Sequence, residues 1–462
     1  MSQNNNTQLG ESAFSRWSIL ILASLVMMMG YIFWDIVSPI SSLLKAPIAQ
    51  GGMAWSSAEY GFYAGSYSIF NIFLLMLFFG GIILDKCGIR LTGLLATGCM
   101  LLGAVINYYA LTVISPVSVT TPWITLLGLI PSPIKTQVLI SSLGFALFGM
   151  GCDITGITIS KIITKWFAGH ELASAMGVQV ATARLGTASA LSLSPLLAQS
   201  FGISASVLAG VAVLVFSFIL FIVYCPIDRV FDKQHRTARY TLQQPTTVSS
   251  QKEGGDDGFR FNDFVKVLRT PGFWLVAFVC VFFYSSIRPF MKFATDLLVN
   301  SFNVNDETAG WIVAAIPYGT ILLTPAFGAI NDRHNNGPIL MTIGCAIVSA
   351  SHLLLAFPLS HSAWYALAIM VFEGIAFSLV PSALWPQVPK IVPLKQLGTA
   401  YSIIYYIQNI GLMIVPVIAG HVIDAHTATN GHIDYTMPML FFAVFGIAAL
   451  GVSYALIIKT KK

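Results

Sequence analysis

The sequence predicts an all-α membrane protein of twelve transmembrane helices, arranged as two six-helix bundles with both termini in the cytoplasm. Three observations carry that prediction. Of 462 residues, 56% are hydrophobic and only 9% are charged, whereas a soluble domain carries about 25% charged residues. The apolar residues fall into runs of about 20 or more, long enough to cross a bilayer as helices and far longer than barrel strands of about 10. The second half of the chain also repeats landmarks of the first.

Residues 1–16 are polar and Asn-rich. They lack the basic start, short apolar core and small-residue cleavage site of a signal peptide, and read as an uncleaved cytoplasmic tail. Spans 17–44, 60–84, 91–113, 136–163, 171–199 and 203–225 follow and form a first bundle, 17–225. The second and third are joined by Asp85-Lys86-Cys87-Gly88-Ile89-Arg90, so short a loop that it must turn tightly, which suits Gly88. Segment 226–268 holds Asp228-Arg229, Lys233, Arg236, Arg239, a Gln/Thr/Ser run and Gly254-Gly255-Asp256-Asp257. It reads as a mobile, solvated cytoplasmic linker. Spans 271–299, 308–330, 338–358, 362–388, 396–423 and 436–458 make the second bundle, 269–458, before a short cytoplasmic tail, 459–462.

The repeat is visible in particular residues. Gly81 to Lys86 (GIILDK) matches Gly328 to Arg333 (GAINDR) at an offset of 247, and Gly149 and Gly186 match Gly374 and Gly411 at an offset of 225. The insertion 114–135 in the first half accounts for the difference. Parallel six-helix repeats place a substrate site at the interface between the halves. Orientation follows from the bases: 19 of the 24 Lys and Arg fall in segments assigned to the cytoplasm, and only Lys45 and Lys135 outside, as the positive-inside rule requires. The net charge of +5 therefore reflects topology and implies no nucleic-acid partner.

The remaining bases, Arg184, Arg288 and Lys292, lie within spans. A charge at bilayer depth costs about 2.5–3.5 kcal/mol on insertion scales and is kept where it faces protein or a water-filled cavity. Arg184 lies about 20 Å along its span, near the midplane. Asp153 falls slightly to the cytoplasmic side of centre, Asp35 in the outer half, and Glu373 near the middle of its span. Arg288, Lys292 and Asp296 recur at i, i+4 and i+8 and share a face. Bases and acids nearly balance, which favours a zwitterion over an anion or a polycation. Arg184 would grip a carboxylate with a bidentate fork, and Asp153 or Asp35 an ammonium group. Arg288, Lys292, Tyr67, Tyr284, Asn71, Gln408, Asn409 and Tyr405 could line the rest. Asp35, Asp153 and Glu373 are the candidates for proton coupling. Asp85, Arg90, Asp332 and Arg333, at corresponding loops of the two halves, are candidate gate residues. Structural alternatives stand beside these: an Asp153–Arg184 salt bridge, a Lys292–Asp296 pair within one helix, a protonated Glu373 that only packs, and loop charges that only set topology.

No HExxH, GxSxG or P-loop pattern occurs, which argues against an enzyme. The six cysteines have no metal-ligand spacing, and His421, His426 and His432 read as solvated loop residues. No cofactor, metal or obligate protein partner is expected. The partners are a small-molecule substrate, the lipid bilayer and, for a coupled carrier, protons. An organic-anion carrier using Arg184, Arg288 and Lys292, and a membrane sensor without turnover, are the alternatives to a carrier of zwitterions.

The chain resembles the major facilitator superfamily, whose repeated cytoplasmic motif is similar to the loop 85–90. Within it, the resemblance is to the branch of lysosomal dipeptide transporters. It rests on Phe33-Trp34-Asp35-Ile36, Glu59-Tyr60 with Tyr67-Ser68 and Asn71, and the segment Trp166 to Leu172 (WFAGHEL). Further matches are Ala183-Arg184-Leu185-Gly186, Ala383-Leu384-Trp385-Pro386, and Gln396 to Tyr401 (QLGTAY) with Ile407-Gln408-Asn409-Ile410-Gly411. The resemblance implies alternating access and dipeptide binding by the acid and arginine at Asp153 and Arg184, with Asp153 standing where Glu is usual. It also implies transport without an obligate coupling ion. Arg288 and Lys292 are additions relative to the animal members. The short loops suggest a bacterial inner membrane.

Overall fold

The computed structural model describes residues 12–122, 128, 130–167, 170–242, 266–393, 396–429 and 431–460. Among them the regular structure is helical apart from one two-stranded ribbon, Val119–Thr120 with Ile134–Lys135, and an isolated bridge between Thr427 and Ile433. The helices are α1 Ala13–Asp35, α2 Ser41–Lys45, α3 Ser57–Ser66, α4 Ile69–Phe73, α5 Met76–Val113, α6 Thr136–Trp166, α7 Leu172–Phe201 and α8 Ile203–Leu242. After residue 265 come α9 Pro271–Phe302, α10 Asp306–His334, α11 Gly337–Ala356, α12 Ala363–Ile391, α13 Leu397–Ala425 and α14 Thr436–Thr460. Ten helices among the described residues are long and apolar enough to cross a membrane. Outside the ten lie α7, whose many polar residues dilute its hydropathy, and the expected span 60–84, which the fold breaks.

That break separates α3, α4 and α5 at Tyr67–Ser68 and at Leu74–Leu75. Leu75 takes a left-handed conformation, φ 52°, rare for a side chain other than Gly. Irregular backbone at membrane depth is tolerated only where protein or a cavity surrounds it, and here Tyr67 and Asn71 are buried. Further on, α5 is two helices joined at Gly88, whose φ of 77° is open to glycine without strain. The tight loop expected after the second span is thus a single-residue hinge.

The helix α8 runs through Pro226 to Leu242, well into the segment read as a linker. Its extension is held by packing and charge. Phe231 stacks on Trp166 with ring centroids 4.2 Å apart, and Asp228 and Asp232, one turn apart, both meet Arg90 and Lys165. Linker residues 243–265 lie outside the described residues.

The repeat glycines make equivalent contacts in the two halves of the chain. Gly149 of α6 lies against the Tyr67 carbonyl, and its counterpart Gly374 of α12 lies against the Ile316 backbone of α10. Likewise Gly186 of α7 meets Met28 of α1, and Gly411 of α13 meets Ser285 of α9. Small residues at these positions let helix backbones approach closely.

Bonds between the halves gather at the end remote from the chain termini, called distal here. Asp424 of α13 accepts from the backbone amides of Ser57 and Ala58 at 2.7 and 2.8 Å, an acid on the helix N-terminus of α3, where the dipole favours it. Lys45 bonds Asp296, which Tyr435 of its own half also bonds, and Ser42 bonds Asp306. Beside them α3 and α13 touch backbone to backbone. A Cβ at Gly61 would overlap the Pro416 carbonyl, one at Gly65 the Met413 carbonyl, and one at Gly420 the Ser57 carbonyl.

Candidate functional site

The first helix stops at Asp35 because the chain turns through the 3-10 segment Ser38–Ile40, carrying Pro39. A helix end leaves carbonyls without partners, and Lys292 of α9 supplies one. Its ammonium donates to the Trp34 carbonyl at 2.8 Å, to Asp35 Oδ1 at 2.7 Å and to Ser38 Oγ at 2.9 Å. Tyr60 Oη in turn donates to the Lys292 carbonyl at 2.9 Å. The i,i+4 pairing of Lys292 with Asp296 is not made, because each finds partners in the other half of the chain. Asp35 and Lys292, read as cavity residues, are engaged with each other just inside the distal seal.

Below this seal lies a small pocket lined by Trp34, Ala64, Tyr67, Ser68, Arg288, Pro289, Lys292, Leu412 and Pro416. Trp34 and Tyr67 stack face to face with centroids 4.2 Å apart. The Tyr67 hydroxyl then donates to Asp153 Oδ1 at 2.7 Å, and Asn71 Nδ2 donates to Oδ2 at 2.7 Å. The broken helix therefore aims two donors at one carboxylate.

Arg184 does not pair with Asp153. Its guanidinium lies over the ring of Phe377, 4.5 Å from the centroid, and Nη1 is buried with no hydrogen-bond partner. Arg288 approaches the same ring at 5.2 Å and Trp34 at 5.0 Å. Two cations from different halves of the chain thus share one aromatic support. Ring faces attract guanidinium groups but accept few of their N–H bonds, so the donor edges stay available. Tyr31 tilts against Trp34 at 5.3 Å, in electrostatic range of Arg184, Arg288 and Asp153.

Tyr284 is buried, its ring edge-on to Phe377 at 6.1 Å. Gln408 accepts from Cys280 Sγ at 3.9 Å. Asn409 donates to the Tyr405 carbonyl at 3.0 Å while its own Oδ1 is buried without a partner. Asn409, Met413 and Pro416 share one face of α13, and the last two face α3. Tyr405 stacks on Trp385 at 4.9 Å yet is 42% exposed.

Glu373 sits apart from this group. It is fully buried in α12, 3.5 Å from His352 Nε2 of α11, and neither of its oxygens has a hydrogen-bond partner. His352 Nδ1 meets Ser286 Oγ at 3.1 Å. Of the candidate gate residues, Arg90 bonds Asp228 at 3.1 Å and Asp232 at 2.8 Å, within the first half of the chain. Asp332 and Arg333 are exposed at the end of α10, and the Asp85 side chain lies outside the described residues. Phe377, Tyr31 and His352 were not singled out in the sequence. The signal that could have found Tyr31 is its position one helical turn before Trp34-Asp35.

The model of the Major Facilitator Superfamily matches residues 19–296 and 273–462. The chain belongs to that superfamily. It is therefore an integral, multi-pass membrane protein and a transporter rather than an enzyme. Within the superfamily it resembles the branch of the lysosomal dipeptide transporter MFSD1. It is 30% identical to the Bos taurus protein over 319 residues, 67% of this chain and 62% of the relative, and 28% identical to the Homo sapiens protein over 316 residues, with the same coverages. The matched region thus spans under two thirds of these relatives' length. The superfamily fold is equally plain in solved structures. The nucleoside transporter NupG superposes with a TM-score of 0.68 at 14% identity, covering 95% of this chain and 99% of that one. A bacterial homologue of the human lysosomal transporter Spinster, inward-facing and unoccupied, gives 0.67 at 15% identity, covering 97% and 96%.

Proposed function

We propose that this chain is an alternating-access transporter of dipeptides or similar small zwitterions. One observation carries the reading: Arg184 and Asp153 do not pair with each other, so a guanidinium and a carboxyl group are both left to receive a substrate. The carboxylate end would meet the guanidinium donors of Arg184 and the ammonium end the Asp153 carboxylate. Tyr67, Asn71, Tyr284, Gln408 and Asn409 would line the path between them. The relatives named as dipeptide transporters support the same substrate class.

Twelve spans in two six-helix bundles, 17–225 and 269–458, with both termini in the cytoplasm, complete the proposal. In that topology the distal end faces outward, and its seal corresponds to a state closed to the outside. Asp85, Arg90, Asp332 and Arg333 then lie at the cytoplasmic rim, where the reverse state closes. Transport by uniport is the simpler reading; in a coupled mechanism Asp35, Asp153 or Glu373 would carry the proton. The short loops favour a bacterial inner membrane.

The test is counterflow of radiolabelled dipeptides in proteoliposomes of the purified protein. Saturable exchange of dipeptide against dipeptide is expected. Exchange of a dicarboxylate or sugar acid without any dipeptide would replace this reading with the organic-anion carrier, which two arginines beside one free acid also favour. Ligand-induced thermal stabilisation without flux would point to a sensor.

The seal makes a second prediction. Gly61→Ala and Gly420→Ala insert a methyl group where a backbone carbonyl lies, so the distal end cannot close fully. Counterflow should fall at least about tenfold while membrane insertion persists, since overpacking of this kind costs about 1–3 kcal/mol. Normal flux in both variants would show that α3 and α13 need not meet.

A further inference from the structure

The charges at the cavity and one contact away from it do not balance, and the imbalance points to a narrower substrate class. Five groups are involved. Asp35, Asp153 and Arg184 come from the first half, and Arg288 and Lys292 from the second. Asp35 and Lys292 satisfy each other at 2.7 Å. Asp153 is held by two neutral donors, Tyr67 and Asn71, which bring no opposing charge. Two guanidinium groups and one carboxyl group remain, so the bases outnumber the acids.

The two guanidinium groups are held close to one another. Both are supported by the single ring of Phe377, at 4.5 and 5.2 Å, and Arg288 is also held by Trp34 at 5.0 Å. Phe377 is itself 1% exposed, so the support is fixed. Each guanidinium presents five N–H donors in a rigid fork, and one fork matches one carboxylate. A neutral zwitterion brings one carboxylate and one ammonium. It neutralises one arginine and Asp153 and leaves the second arginine uncompensated in a site of low dielectric, where an unpaired charge is strongly disfavoured. A solute with two carboxylates and one ammonium leaves nothing unpaired.

We infer that the cavity selects dipeptides with an acidic side chain: the terminal carboxylate on one arginine, the side-chain carboxylate on the other, and the ammonium on Asp153. The inference rests on the dipeptide reading given above and narrows it. In this arrangement Phe377 is a positioning residue. It touches no substrate and holds two cations from opposite halves within reach of one small molecule.

The experiment is competition counterflow with Ala-Glu, Ala-Ala and Ala-Lys in proteoliposomes of the full chain. Ala-Glu should compete at least about tenfold more effectively than Ala-Ala, and Ala-Lys least of all. In Arg288→Gln the ratio between Ala-Glu and Ala-Ala should shrink toward one, whatever the absolute rates. Ligand-induced thermal shifts of the detergent-purified protein give the same ranking for a variant too slow to assay. Equal or better competition by Ala-Ala or Ala-Lys in the wild-type protein overturns the selectivity and leaves the dipeptide reading standing. Exchange of a dicarboxylate with no dipeptide of any charge overturns both. A preserved Ala-Glu preference in Arg288→Gln removes Arg288 from the site and overturns the two-arginine account.

Discussion

Asp153→Asn lowers dipeptide counterflow about 10- to 150-fold, while binding of a simple carboxylate survives. The magnitude follows from the bond removed. Hydrogen bonds to a charged partner contribute about 1.5–3 kcal/mol, and each 1.4 kcal/mol is tenfold. The geometry adds to it. An ionised carboxylate has about four lone-pair positions; Tyr67 and Asn71 occupy two at 2.7 Å, and the others are left for an ammonium group. Asn in its place keeps one oxygen and turns an NH2 group toward one of those donors, so it loses the charge and spoils the bond that orients Tyr67. Tyr67→Phe is the useful contrast. It removes one donor but keeps the carboxylate charge and the ring stacked on Trp34, so its effect should stay below about tenfold. Counterflow of a dipeptide and of a monocarboxylate, measured side by side in both variants, separates the roles. Full dipeptide flux in Asp153→Asn would remove this residue from the site.

Much of the site was legible because a charge inside an apolar run is conspicuous and expensive. Arg184, Asp153, Arg288 and Lys292 stand out for that reason alone. Their partners are harder to see. Phe377 is one apolar residue in an apolar run, and its role depends on α7 and α9 both passing over it. Lys292 and Asp296 invite an i,i+4 pairing, yet Lys292 reaches the open end of α1, where a carbonyl, a carboxylate and a hydroxyl converge on one ammonium. No helix-local pair can offer three acceptors. The fold's periodic features were equally legible, since span lengths and the repeat glycines depend only on local sequence. The break in the second span was not. No Pro marks Tyr67–Ser68 or Leu74–Leu75, and the interruption is maintained from outside, by Gly149 packing on the Tyr67 carbonyl and by Asp153 holding Tyr67 and Asn71. The reach of α8 beyond Pro226 was hidden for a similar reason, because its anchors Arg90, Lys165 and Trp166 belong to other helices.

Lys292→Met opens the distal seal. Asp35 is only 2% exposed, its Oδ2 already lacks a partner, and Lys292 holds the other oxygen. Removing one member of a buried pair costs about 3–5 kcal/mol, because the charge left behind is uncompensated. Opening the halves lets Asp35 meet water, so the cost falls on the sealed state alone. Moving an equilibrium from 1:99 to 99:1 takes about 5.5 kcal/mol, and a shift of about 3–5 kcal/mol covers most of that range. The readout is a cysteine at position 295, introduced in a background lacking the six native cysteines and labelled with a membrane-impermeant maleimide from the distal side. Thr295 is fully buried in the seal, donating to the Ser38 carbonyl at 3.0 Å, so labelling should be slow with Lys292 present and at least about tenfold faster in Lys292→Met. Adding Asp35→Asn removes the stranded charge and should return labelling most of the way to the slow rate, since losing both members of a buried pair is far milder than losing one. That reversal distinguishes a charge-driven opening from damage to packing, which a second substitution would only deepen. Equal labelling in all three proteins would mean that Asp424 on the α3 amides and Lys45 on Asp296 hold the seal without help from Lys292.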